Sequence, residues 1–178
     1  TPVTFYARTA SELLPARVLP RVFGPGDVDV TEAMPLPDAI TGSSGQWFEL
    51  RNNTPATLNL SGLTVESLGS DTGFTIPDGV SLDAGAYLVL GQSRDTLANG
   101  GAPVDVEYGF DVQLIVPGGV EVKAGPTTLG SLSWDQASAV QSKSVIPSIR
   151  PGDLLYASGY TPTVCPRTAT YGSLGMFG

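Results

Sequence analysis

The chain has 178 residues, enough for one domain with a real core, and 41% of them are hydrophobic against 15% charged. With 22 Gly and 15 Pro it is too apolar to stay disordered and too rich in turn residues for a helical bundle. A net charge of −8 disfavours nucleic acid as a partner, the lack of any apolar run near the roughly 20 residues of a membrane helix argues against membrane insertion, and the lack of histidine removes Ser-His-Asp triads, Cys-His dyads and His-ligated zinc from this chain.

Residues 1–26 read as an N-terminal arm or linker. Thr9-Ala10-Ser11-Glu12-Leu13-Leu14 could open a short helix, which Pro15 and Pro20 keep short, and Gly24-Pro25-Gly26 punctuates before the first clear strand. Arg8, Arg17 and Arg21 in this segment are the densest basic group of the chain, and no secretory leader is visible at Thr1.

From Asp27 to Gly178 the pattern is β. Val28, Val30 and Ala33-Met34 make a strand that ends at Pro35, and a polar loop rich in Gly and Ser follows. In Gln46–Asn52 the alternation puts Phe48 and Leu50 on one face and Trp47, Glu49 and Arg51 on the other. Short strands are predicted at 57–60, 63–65, 74–76 and 80–82, with turns between them, and the nearly all-apolar Ala86–Leu90 reads as a central strand. Residues 91–103 form a loop in which Asp95–Ala98 could hold one helical turn. Val104-Asp105-Val106-Glu107-Tyr108 reads as an edge strand. A hairpin is predicted from Val112 to Lys123 across Pro117-Gly118-Gly119, with Val116 opposite Val120 and Leu114 opposite Val122. Strands near 127–134 and 140–145 follow, and residues 146–178 read as an irregular tail wrapping the domain. Roughly nine short strands separated by turns make an all-β, antiparallel sandwich.

The runs Glu32 with Pro35, Trp47-Phe48-Glu49-Leu50 with Asn52, Leu60-Ser61-Gly62-Leu63, Phe74-Thr75-Ile76-Pro77-Asp78-Gly79 and Gly85-Ala86-Tyr87-Leu88-Val89 resemble, in this order, the lamin-tail family in its bacterial secreted form. The resemblance covers about residues 28–91 best; Gly130–Trp134 and Lys143-Ser144 sit where that family has its closing strands. Leu63 stands where the family often has Trp, and residues 1–26 have no counterpart. The resemblance implies an immunoglobulin-like sandwich on secreted or surface proteins, one that binds rather than catalyses.

Glu32 and Glu49 are the most suggestive carboxylates, because both lie on early strands that could pair and share a face. Together they could hold a cation or work as an acid–base pair; single solvated acids on an outer face are the plainer expectation. Asp27, Asp29 and Asp38 make a loose acidic group whose spacing falls short of a calcium loop, so no cofactor is expected, with calcium at Asp27, Asp29, Glu32 and Glu49 as the one metal the residues suggest. Val104, Val106 and Tyr108 on the edge strand are the expected docking residues. The lone Cys165 cannot close an internal disulfide, which leaves a buried thiol or a bridge to another chain. Asn52 and Asn59 lie in Asn-x-Thr and Asn-x-Ser sequons. The expectation is a non-enzymatic module outside the cell or on its surface, adhering to a protein or a surface glycan. The alternative is a homo-oligomeric assembly subunit that uses residues 1–26 as its contact arm.

Overall fold

A computed structural model describes residues 22–37 and 42–147, and the backbone of 164–166. Most of residues 1–26, Asp38 and most of the expected tail therefore lie outside the described residues. The strands are β1 (Val28–Met34), β2 (Trp47–Asn52), β3 (Leu58–Asn59), β4 (Thr64–Leu68), β5 (Gly73–Thr75), β6 (Ser81–Leu82), β7 (Tyr87–Gly91), β8 (Val106–Glu107), β9 (Gly118–Ala124), β10 (Thr127–Trp134), β11 (Val145–Pro147) and β12 (Val164–Pro166). They form a six-stranded sheet in the order β12-β11-β1-β2-β7-β8, a four-stranded sheet β10-β9-β4-β5 and a small β3-β6 pair.

The main core lies between the two large sheets. Val28, Val30, Ala33, Phe48, Leu50, Leu88 and Leu90 from the first pack against Val65, Val120, Val122, Leu132 and Trp134 from the second. Apart from the step from Val30 to Ala33, each set follows the period of two that a half-buried strand dictates. The fold is thus the all-β sandwich that the turn spacing predicts. A smaller cluster of Met34, Trp47, Val89 and Ala102, with Val104 against it, buries the opposite face of β1, β2 and β7. This is why β2 and β7 read as almost uniformly buried.

Three details of pairing depart from expectation. β8 runs parallel to β7, with Leu90 opposite Val106, because residues 92–105 carry the chain back across before it pairs. The predicted Val112–Lys123 hairpin does not form. β9 is flanked on both sides, by β4 (Val65 opposite Val122) and by β10 (Leu132 opposite Val120), so neither edge is left for residues 112–116. Gly118 and Gly119 lie within β9 rather than in a turn, pressed against the backbone of Ile115, Leu68 and Leu132 where a side chain would collide. Val112 and Leu114 still bury against the core, but from an irregular segment. The hairpin that does form is β9–β10, turning at Gly125-Pro126, with Gly125 at φ 58°. The predicted last strand is also shifted: β11 begins at Val145 and pairs with Ala33 of β1.

Candidate functional site

Three regions of the surface carry the chemistry. The first is the outer side of β1 and β2. Val28 and Val30 point into the core, and simple alternation would send Glu32 after them. A bulge between Val30 and Glu32 resets the register, so Ala33 faces the core and Glu32 lies directly opposite Glu49 on the other side. Both carboxylates are buried. Thr31 Oγ1 donates to Glu49 Oε1 at 2.6 Å, and Ser144 Oγ donates to Glu32 Oε1 at 2.5 Å. Asp29 is opposite Arg51, accepts from Asn53 Nδ2 at 3.4 Å, and the Arg51 guanidinium lies 5.5 Å from the Tyr87 ring centre. Asp27 is apart from these, closing a turn in which the Gly24 N–H donates to its Oδ2 at 3.0 Å. The structure therefore brings Glu32 to Glu49 and Asp29 to Arg51, while the Asp27 carboxylate serves the turn at Gly24. Among the described residues, no three His, Cys, Asp or Glu side chains converge to hold a metal ion.

The second region is the β8 end of the sandwich. Val106 and Tyr108 turn inward: Val106 joins the core, and the Tyr108 ring stacks on Phe48 at 5.7 Å while its hydroxyl donates to Gln46 O at 3.1 Å. Val104 packs on the second cluster and fills the space above Gly91. What faces outward here is the backbone edge and the loops beside it. Asn99 Nδ2 donates to Ser93 O and Ala102 O, and its Oδ1 accepts from the N–H groups of Gly101 and Ala102. The Arg94 guanidinium donates to Asp105 O, and its backbone N–H donates to Glu107 Oε2 at 2.8 Å. These bonds fix the loop, and the segments around it leave Leu97 83% and Phe110 73% exposed.

The third region, which the sequence pattern does not reveal, is the free side of the four-stranded sheet. Glu66 of β4 lies opposite Glu121 of β9, and Lys123 Nζ bridges them at 2.8 and 3.3 Å. The two carboxylates hold the Lys123 ammonium above its ordinary pKa, the Glu66 hydrogen bond contributing most. With Asp71 and the β4–β5 turn they line a pocket of about 440 Å³. Each of these residues is an ordinary surface charge in the sequence; only the β4–β9 register assembles them.

Cys165 falls in β12, its backbone opposite Ile146, on the outermost strand of the six-stranded sheet. Near the other end of the chain, Phe23 packs against the core, Gly26 N donates to Leu129 O at 2.6 Å and Asn53 Nδ2 donates to Gly26 O at 3.0 Å. The expected arm is thus anchored by its last residues.

Two facing sheets around one core, closed by loops at each end, with a polar outer face held by hydroxyl–carboxylate bonds, define an immunoglobulin-like β-sandwich module. The Lamin Tail Domain family model matches residues 22–146, and the chain belongs to that family. No curated protein matches the chain.

Proposed function

We propose that this chain is a non-catalytic module that works outside the cell or on its surface, adhering to a protein or a surface glycan. The observation that carries this reading is the fixed, apolar-tipped loop end beside β8. Large side chains presented on a framework already held by Asn99 and Arg94 lose little freedom when a partner covers them, which is what a binding surface requires. The family's fold supports the same reading. The test is binding of the full chain, as wild type and as L97S and F110S, to glycan arrays and to whole cells. Loss of wild-type binding in either variant, with folding intact by circular dichroism, is the expected result. Wild-type binding that survives both substitutions would move the surface elsewhere.

A second reading has its own observation. Residues 1–21 carry Arg8, Arg17 and Arg21 against Glu12 alone, in a chain whose net charge is −8. A basic arm on an acidic body favours self-association, with residues 1–26 as the contact and Cys165 as the proposed cross-link to a neighbouring chain. Solution mass with and without reductant, across a concentration series, tests it; a monomer throughout would end it.

A further inference from the structure

We propose that the open edge of β5 is the docking site for the N-terminal segment of a second copy of this chain. The inference rests on the assembly reading above and names the surface that reading uses. Its first support is the backbone. Ser67 N donates to Thr72 O at 3.0 Å and Ile76 N donates to Leu63 O at 2.9 Å. Positions 72, 74 and 76 therefore bond to β4 and its flanks, and antiparallel alternation turns the N–H and C=O of Gly73 and Thr75 the other way. β5 is the last strand of its sheet, both residues are exposed, and among the described residues no backbone group pairs with them on that side. Proteins usually blunt such an edge with lysine, a bulge or a covering loop. Its shortness, three residues, is one such safeguard, but the strand carries no lysine and no bulge, and Gly73 leaves the backbone bare for close approach.

The second support is charge. The pocket at the end of this edge is lined by Glu66, Asp71 and Glu121, three carboxylates against the single ammonium of Lys123. An occupant of this edge has to be extended and basic. The N-terminal sequence suits both demands: Val3-Thr4-Phe5-Tyr6 is two β-branched and two aromatic residues, types that favour strands, and Arg8 comes directly after Ala7, with Arg17 and Arg21 beyond. Paired along Gly73–Thr75, that run would bring Arg8 to the acidic pocket.

The third support is topology. The described residues next to this segment are tied to β10 where Gly26 bonds to Leu129, and β10 and β5 are the two opposite edges of one sheet. A donor at one edge and an acceptor at the other make a head-to-tail contact that repeats from copy to copy.

The experiment uses full-length chains in sedimentation velocity over a concentration series, at low and high salt. One variant disables the acceptor: Thr75→Pro, which removes an outward N–H at a position where an edge strand tolerates proline, combined with Asp71→Lys. The other disables the donor: Arg8→Glu, Arg17→Glu and Arg21→Glu together. Near-UV circular dichroism confirms that each is folded. Expected are larger species for wild type that shrink with salt, monomers for each variant alone, and a 1:1 complex when the two variants are mixed, because one intact donor then meets one intact acceptor. Wild-type assembly that persists in the acceptor variant but fails in the donor variant would overturn this surface while sparing the assembly reading. A wild-type monomer at every concentration would overturn both, leaving the acidic residues as guards of the edge. Variants that are each monomeric but fail to pair on mixing would also overturn the proposal.

Discussion

At the scale of single residues, buried side-chain amides hold the turns where backbone ladders stop. Asn52 is fully buried at the end of β2; its Nδ2 reaches the carbonyl oxygens of Ala56, Leu82 and Asp83, and its Oδ1 accepts from Thr54 N and Oγ1. One side chain thereby ties the end of β2 to two segments, residues 54–56 and 82–83. Replacing it leaves several buried groups without partners, each worth about 1–3 kcal/mol, so N52A is expected to cost about 3 kcal/mol in urea unfolding. The same bonds remove Asn52 from consideration as a glycan acceptor in the folded chain, whereas Asn59 is exposed, with Oδ1 bound to Ser61 N and Oγ. Gln92 is the opposite case. It is buried just beyond β7, yet among the described residues neither its Nε2 nor its Oε1 has a hydrogen-bond partner. Burial of an amide without partners opposes folding, so Q92L is expected to raise stability by about 1–2 kcal/mol, seen as a higher urea midpoint at unchanged slope. An unchanged or lower midpoint would mean that Gln92 is satisfied in solution.

At the scale of elements, close approach between strands is set by glycine. A methyl added at Gly130 would run into the backbone of β1 at Val28 and Asp29, whereas one added at Gly91 would meet only the Val104 side chain. Backbone cannot step aside as a side chain does, so G130A is expected to cost about 2 kcal/mol and G91A clearly less, both read from thermal unfolding. Equal losses would mean that Val104 is as immovable as a strand. Much at this scale is legible in the sequence. β1, β2 and β10 follow from alternation and flanking turn residues and β7 from its continuous apolar run, and the spacing of Val28, Val30 and Ala33 already contains the bulge, since the apolar step lengthens from two residues to three. That bulge is what sets Glu32 opposite Glu49. The partners of β9 are not legible in this way. An alternating run of Val120 and Val122 fits any apolar neighbour, and the choice of β4 over residues 112–116 is made by long-range packing. The acidic rim of Glu66, Asp71 and Glu121 stays hidden for the same reason. The inward turn of Val106 and Tyr108 is hidden too, because an edge strand with one buried face reads like an exposed one.

At the scale of the whole molecule, the charge balance decides how stability answers to pH. With no histidine in the chain, no side chain of ordinary pKa changes charge between about pH 6 and 8, so the unfolding temperature is expected to be level there. Below that range two effects oppose each other. Protonation relieves the self-repulsion of a chain carrying −8 at neutral pH, while carboxylates whose bonds favour the charged form lose those bonds. Asp135 isolates the second effect. Its Oδ1 accepts from Ser138 Oγ at 2.7 Å and from the N–H groups of Ser138 and Ala137, closing the turn after β10. The Ser138 hydroxyl bond is the main reason its carboxyl lies below the ordinary value of 3.8. A depressed carboxylate pKa contributes stability that is complete above the unfolded value and disappears as pH falls through the native one. S138A removes the chief cause, so its unfolding temperature is expected to lie below that of wild type at pH 7. The gap should hold down to about pH 4 and close as pH falls through the native pKa of Asp135. Scanning calorimetry of the pair from pH 8 to 2 checks this directly. A gap that stays constant to pH 2 would show that Ser138 supports the turn through its own packing and not through the charge of Asp135.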